Sequence, residues 1–119
     1  MNIPEEKELI EFLGSRPQRE SEEDSLFYDT AAFAFSNRVE DFKLTISPFY
    51  DKFILTVKDH ASQEIVSHIE LRSVQKLEIV NGQDYNKIRL LHGESDIYQN
   101  VLEFTFNPRF KMMFEEQYR

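Results

Sequence analysis

The sequence predicts a mainly β domain of the α+β class: a seven-stranded antiparallel meander with a short helix before it and another after it. Two observations carry this expectation. Apolar and polar residues alternate with a period of two through most of residues 26–106, the signature of strands with one face on a core. The aromatic content is 11 Phe and 5 Tyr with no Trp, which suits a compact two-layer core of half-buried strands. A third supports them: only 3 Gly and 4 Pro in 119 residues leave little chain for long flexible loops. The length and the 40% apolar content are enough for one domain core.

The elements follow in order. Residues 4–13 read as a helix, with Pro4 at its first position, Glu5 and Glu6 at its positive end and Gly14 just past its end. Leu9, Ile10, Phe12 and Leu13 form its apolar stripe, and so short a helix must dock on something to persist. Residues 15–25 contain no apolar side chain and read as an acidic, mobile linker. The expected organisation is therefore a helix at 1–14, a linker at 15–25 and one β-rich domain at 26–119. Phe33 and Phe35 mark the first strand, Phe42, Leu44 and Ile46 the second, and Phe53, Leu55 and Val57 the third. Ile65, Ile69 and Leu71 should line the inner face of the fourth, and strands at about 75–80, 87–92 and 101–106 complete the seven. Turns fall at Asn37-Arg38, at 48–51, at the polar Asn81-Gly82-Gln83-Asp84 and at 93–99. Asn107-Pro108 has the form of an N-cap followed by proline at the first helical position. Phe110, Met113 and Phe114 then repeat at helical spacing, so 109–118 is expected as a helix. Phe110, Met112 and Phe114 also alternate, which makes a final strand the competing reading.

Net charge is −8, and it is unevenly placed. Residues 1–29 hold nine acids against Lys7, Arg16 and Arg19, whereas the other 90 residues are nearly neutral. The lack of a basic face argues against nucleic acid and against direct binding to anionic membranes, and favours a protein partner, basic if matched by charge. With no cysteine, disulfides, thiol catalysis and Cys-ligated zinc are excluded. The N-terminal residues lack a basic, then apolar, leader, and a cytoplasmic location is expected.

Catalytic patterns are thin, and no enzyme, cofactor or metal is expected. His60 lies in a polar turn, His68 sits mid-strand and His92 ends a strand. His68 and Glu70 share a face, but it is the outward one, with no third ligand at metal spacing. No serine sits in a nucleophile elbow, and three glycines cannot make a phosphate-cradling loop. Asp29 with Glu40 or Asp41 is a formal acid–base pair, of a kind any acidic chain offers.

More informative is Phe-Tyr-Asp, which occurs at 27–29 and again at 49–51. The second copy occupies a hairpin tip, where there is little core to pack against. Either Phe49 folds back to plug the end of the domain, or Phe49, Tyr50 and Asp51 face a partner. With the acidic run Glu22, Glu23 and Asp24, these form the candidate protein-binding residues. The first copy is expected to open the first strand, with Phe27 over the core.

The stretch 69–79 has a strand–corner–strand pattern, with Ile69 and Leu71 before the corner and Val74, Leu77 and Ile79 after it. In this it resembles the pleckstrin-homology-like superfamily, over roughly residues 30–118. That resemblance implies a seven-stranded barrel closed by a C-terminal helix; a β-sandwich with peripheral helices would give the same string. The first hairpin, with Arg38 beside Glu40 and Asp41, departs from the basic lipid-binding pattern. The resemblance therefore implies a regulatory or targeting domain that binds a peptide or protein. Phe27-Tyr28-Asp29-Thr30 before an alternating strand, together with 74–79, also resembles small bacterial immunity proteins, which cover a toxin's active site. The leading expectation is thus a non-enzymatic interaction module, of immunity type, with a small enzyme using an unrecognised pocket as the remaining alternative. Oligomeric state stays open, because an exposed strand edge could pair across a two-fold axis.

Overall fold

The computed structural model describes residues 1–22, 24–83, 86–93 and 95–119. Glu23, Asp84 of the expected polar turn and Glu94 of the next one lie outside the described residues. Helix α1 (Glu6–Leu13) is followed by nine strands: β1 (Gln18–Arg19), β2 (Ala31–Ser36), β3 (Glu40–Ser47), β4 (Lys52–Asp59), β5 (Ile65–Leu71), β6 (Val74–Asn81), β7 (Asn86–His92), β8 (Tyr98–Thr105) and β9 (Lys111–Tyr118). They form two antiparallel sheets in sequential order, β1–β5 and β6–β9. The chain passes from one sheet to the other at Arg72-Ser73, and β5 does not pair with β6. The expected barrel is therefore not formed; the architecture is two open sheets.

The alternation buries the residues it should. Ala31 and Phe33 on β2, Phe42, Leu44 and Ile46 on β3, and Phe53, Leu55 and Val57 on β4 are all buried. From the second sheet Leu77, Ile88, Leu90, Leu102 and Phe104 join the same cluster. The sheets meet through rings: Phe53 stacks on Phe104 with centroids 5.7 Å apart, and Phe42 meets Phe106 edge-on at 5.1 Å. Burying each such ring contributes about 1.5–3 kcal/mol. Helix α1 ends as expected, with Gly14 in the left-handed region (φ 72°) donating to the Ile10 carbonyl. It docks by burying Leu9 and Leu13 in the shared core.

Three expectations are corrected. The C-terminal helix is instead the strand β9, paired with β8 from Thr105↔Lys111 to Tyr98↔Tyr118. Asn107-Pro108 turns the hairpin rather than capping a helix, because residues on both sides are held elsewhere. Asn37 donates to the Phe106 carbonyl at 2.7 Å, and the Phe110 N–H donates to Glu40 at 2.9 Å. A helix would have left the whole β8 edge without backbone partners. The strand count rises from seven to nine, and the pleckstrin-homology-like reading falls with the barrel and the helix. Ile65 is not on an inner face: the β4–β5 register shifts between Val57 and Lys58, and Ile65 is 60% exposed.

The segment 15–25, expected as a mobile linker, contains a piece of sheet: Gln18 and Arg19 pair with Ala32 and Ala31. It has polar anchors in place of apolar ones, described below.

Because Phe53 is fully buried and stacked across the sheets, Phe53→Ala should cost about 3–5 kcal/mol. Urea denaturation checks this; a loss under about 1 kcal/mol would mean that the sheets do not meet through this ring.

Candidate functional site

The two Phe-Tyr-Asp copies share one turn and differ at the closing aspartate, which is extended at Asp29 and left-handed at Asp51. Leu26–Tyr28 and Pro48–Tyr50 are both single 3₁₀ turns. In the first, the Ser25 hydroxyl accepts from the Phe27 N–H at 3.3 Å, and buried Leu26 anchors the turn. In the second, Pro48 fixes the entry and Asp51 closes the turn in the left-handed region (φ 56°), a conformation that Asp tolerates.

The fold places these turns side by side. Phe49 lies 6.1 Å from Phe27 and 5.8 Å from Tyr28, ring centre to ring centre, and 5.3 Å from Tyr50; Phe27 and Tyr28 meet edge-on at 5.1 Å. The cluster stands out of the protein: Tyr28 is 64%, Phe49 57% and Tyr50 73% exposed. Phe49 therefore does not plug the domain end, and Phe27, half-buried, does not open a strand. Four rings in one exposed group are a candidate anchor for a partner. The signal that finds this group is the Phe-Tyr-Asp repeat itself, whose copies are in contact.

The acidic candidates divide by role. Glu22 and Asp24 are exposed, and Asp24 shares a surface concavity with Phe27 and the segment from Met1 to Glu6. Asp51 is a structural latch: its carboxylate accepts from the Met1 amino group, and its carbonyl accepts from the Val74 N–H at 3.0 Å.

Asp29, which closes the first turn, is the buried carboxylate of the region, its side chain 1% exposed. It accepts from the Arg19 Nε at 2.8 Å, from the Ser21 hydroxyl at 2.9 Å and backbone N–H at 3.0 Å, and from the Thr30 N–H at 2.7 Å. Burial alone would raise its pKa; the Arg19 guanidinium and the Ser21 and Thr30 donors outweigh that and hold it well below the ordinary carboxylate range. Arg19 also reaches Glu6 of α1 at 2.6 Å. The formal acid–base pair of Asp29 with Glu40 or Asp41 does not exist, since each carboxylate has its own partners. Glu40 accepts from Asn37 and Phe110. Hydrogen bonds from Gln63, Ser36 and His60 hold Asp41 at about 2.

The histidines are likewise accounted for. His60 bonds Asp41 at 3.0 Å, and His68 bonds the Thr56 hydroxyl at 2.9 Å on the outer face, while Glu70 lies by Arg72 and Lys52. His92 is partly buried beside the Phe114 ring, and burial lowers its pKa. Among the described residues no three His, Asp or Glu side chains are grouped to hold a metal. A concavity of about 610 Å³ between the end of α1 and the hairpin loops has Ser36, Arg38, Gln83, Asn86 and Asn107 as its polar lining, with no carboxylate or imidazole among the described residues.

The Asp29 ion pair predicts a pH dependence. A carboxylate with a depressed folded-state pKa contributes stability that is fully present above its unfolded value, about 3.9, and is lost as pH falls toward the folded value. Asp29→Asn should therefore lower the melting temperature at pH 7, with the gap to the parent shrinking below about pH 4. Thermal melts from pH 7 down to about pH 2 check it; a gap that stays constant across that whole range would contradict the ion-pair account.

No protein-family model matches this sequence, and no curated protein matches it. Among solved structures, the fold is similar to a chain of the contact-dependent growth inhibition toxin–immunity protein complex from Klebsiella pneumoniae 342, with a TM-score of 0.80 over 97% of this chain and 96% of that one. Sequence identity is 20%, so what the two chains demonstrably share is the fold.

Proposed function

We propose that this protein is a non-enzymatic binding module of immunity type, which neutralises a toxin by occupying its surface. The observation that carries the reading is the exposed ring cluster of Phe27, Tyr28, Phe49 and Tyr50 on a fold that recurs, end to end, in a toxin–immunity protein complex. Rings already packed on one another lose little rotamer freedom on binding, so their burial converts efficiently to affinity. Glu22 and Asp24 precede the first turn in sequence, and Asp24 brings negative charge to the concavity that Phe27 lines. That favours a basic partner surface, with the carboxylates raising the association rate and the rings slowing dissociation. The lack of cysteine fits action in a reducing cytosol.

Co-expression with the products of the genes beside this chain's own, each first tested for growth inhibition, tests the reading. The expected result is restored growth and a complex that survives gel filtration. Phe49→Ala and Tyr50→Ala should each weaken binding at least about tenfold while leaving the melting temperature unchanged. Glu22→Lys with Asp24→Lys should instead slow association, with the difference fading at high salt. Growth arrest by this chain alone, or rescue that persists without the rings, would overturn the proposal.

A further inference from the structure

The second sheet ends in a strand that has no strand beyond it among the described residues. All eight residues of β9 are exposed, and they include Met112 (50%), Met113 (55%) and Phe114 (51%). β9 pairs with β8 on one side only and is the last strand of its sheet. The other sheet edges are managed. β1 is two residues long. β6 is clasped by Asn2, which donates to the Gln75 carbonyl at 2.9 Å and accepts from the Leu77 N–H at 2.8 Å. β5 carries a register shift against β4. β9 has no proline, no glycine and no bulge in its pairing with β8, so its free N–H and C=O groups form a straight template for another strand.

We propose that β9 pairs antiparallel with β9 of a second copy of this chain, the two-fold axis passing through Met113. The charge pattern selects both occupant and register. Alternate residues of an edge strand direct their backbone groups outward, so a symmetric pair must match outward positions with outward positions and centre on a residue. Centred on Met113, the strands place Lys111 opposite Glu115 twice, Met112 opposite Phe114 twice, and Met113 against itself. Centred on Phe114, they would oppose Met112 to Glu116 and Met113 to Glu115. Centred on Glu115, that carboxylate would meet its own copy. A centre at Met112 would leave only residues 111–113 of the strand paired. Lys111 makes no ion pair among the described residues, and Glu115 accepts from Gln117 at 3.1 Å, a neutral donor that a lysine can displace. The dimer pairs residues 111–115 of the two edges with each other and covers the three exposed apolar residues. It does not depend on the toxin-binding reading, and it uses a surface distinct from the aromatic turns.

Sedimentation of the full chain at about 0.15 M ionic strength, where the −8 charge of each copy is screened, reads the outcome. The parent is expected to be dimeric at about 100 µM and to dissociate on dilution. Lys111→Glu and Glu115→Lys should each weaken the dimer about tenfold, because each turns two attractive pairs repulsive, and the double variant should restore it. Met113→Cys, which introduces the sole cysteine of that variant, should form a disulfide-linked dimer with diamide as oxidant, whereas Gln117→Cys should not. A monomer throughout, a dimer indifferent to the charge swaps, or failure of the Met113→Cys chains to cross-link would each overturn the proposal. So would loss of binding to a toxin strand, without any change of oligomeric state, in Lys111→Glu.

Discussion

The buried carboxylate of Asp29 joins four parts of the chain. It closes the first aromatic turn, pairs with the Arg19 guanidinium on β1, and accepts from the backbone N–H groups of Ser21 and of Thr30, the residue before β2. Through Arg19 the network reaches Glu6 on α1. A carboxylate so enclosed is tolerable only because its acceptor sites are satisfied and a guanidinium lies against it. The consequence is geometric: a segment without apolar side chains is fixed in place by polar contacts. The Phe27–Tyr28 turn is thereby held where it meets Phe49.

That constraint redistributes the acidity. By composition the first 29 residues form a block of negative charge, yet part of that block serves internal ends. Asp29 and Glu6 neutralise Arg19, and beyond the block Asp51 holds the second turn through the Met1 amino group. The same internal pairing operates in the nearly neutral body, where Glu103 is paired with Lys87 and Arg89, and Asp41 staples the loop carrying His60 and Gln63. What is left to face a partner beside the first turn includes Asp24 and Glu5, both exposed and lining one concavity with Phe27, and the exposed Glu22 just before them in sequence.

The inner faces of β2, β3, β4 and β8 were legible in the sequence because strand alternation is a local property, and Phe33, Leu44, Leu55 and Phe104 point where their period says. The failures share a cause: they depend on partners distant in sequence. Asn107-Pro108 is as good a turn as a helix start, and only Asn37 and Glu40, some seventy residues earlier, decide between them. Gln18 and Arg19 carry no strand pattern, since two residues cannot, and their pairing depends on Asp29. The two Phe-Tyr-Asp copies could be seen, but not their contact, because a spacing along the chain says nothing about tertiary proximity.

Sheet closure and surface chemistry are linked in this fold. A barrel would have consumed every edge in the pairing of its own strands; two open sheets leave edges that must be shortened, clasped or used. Here the residues before α1 protect β6, leaving β9 as the long, regular edge at the opposite side of its sheet. The ring cluster belongs to turns that flank strands of the other sheet, held by Asp29 and Asp51 rather than by strand pairing. The two exposed apolar features therefore arise from different constraints, side-chain anchoring in one case and unpaired backbone hydrogen-bonding groups in the other. Ring burial and strand addition impose different geometry on a partner, and occupation of one surface does not require the other to be vacant.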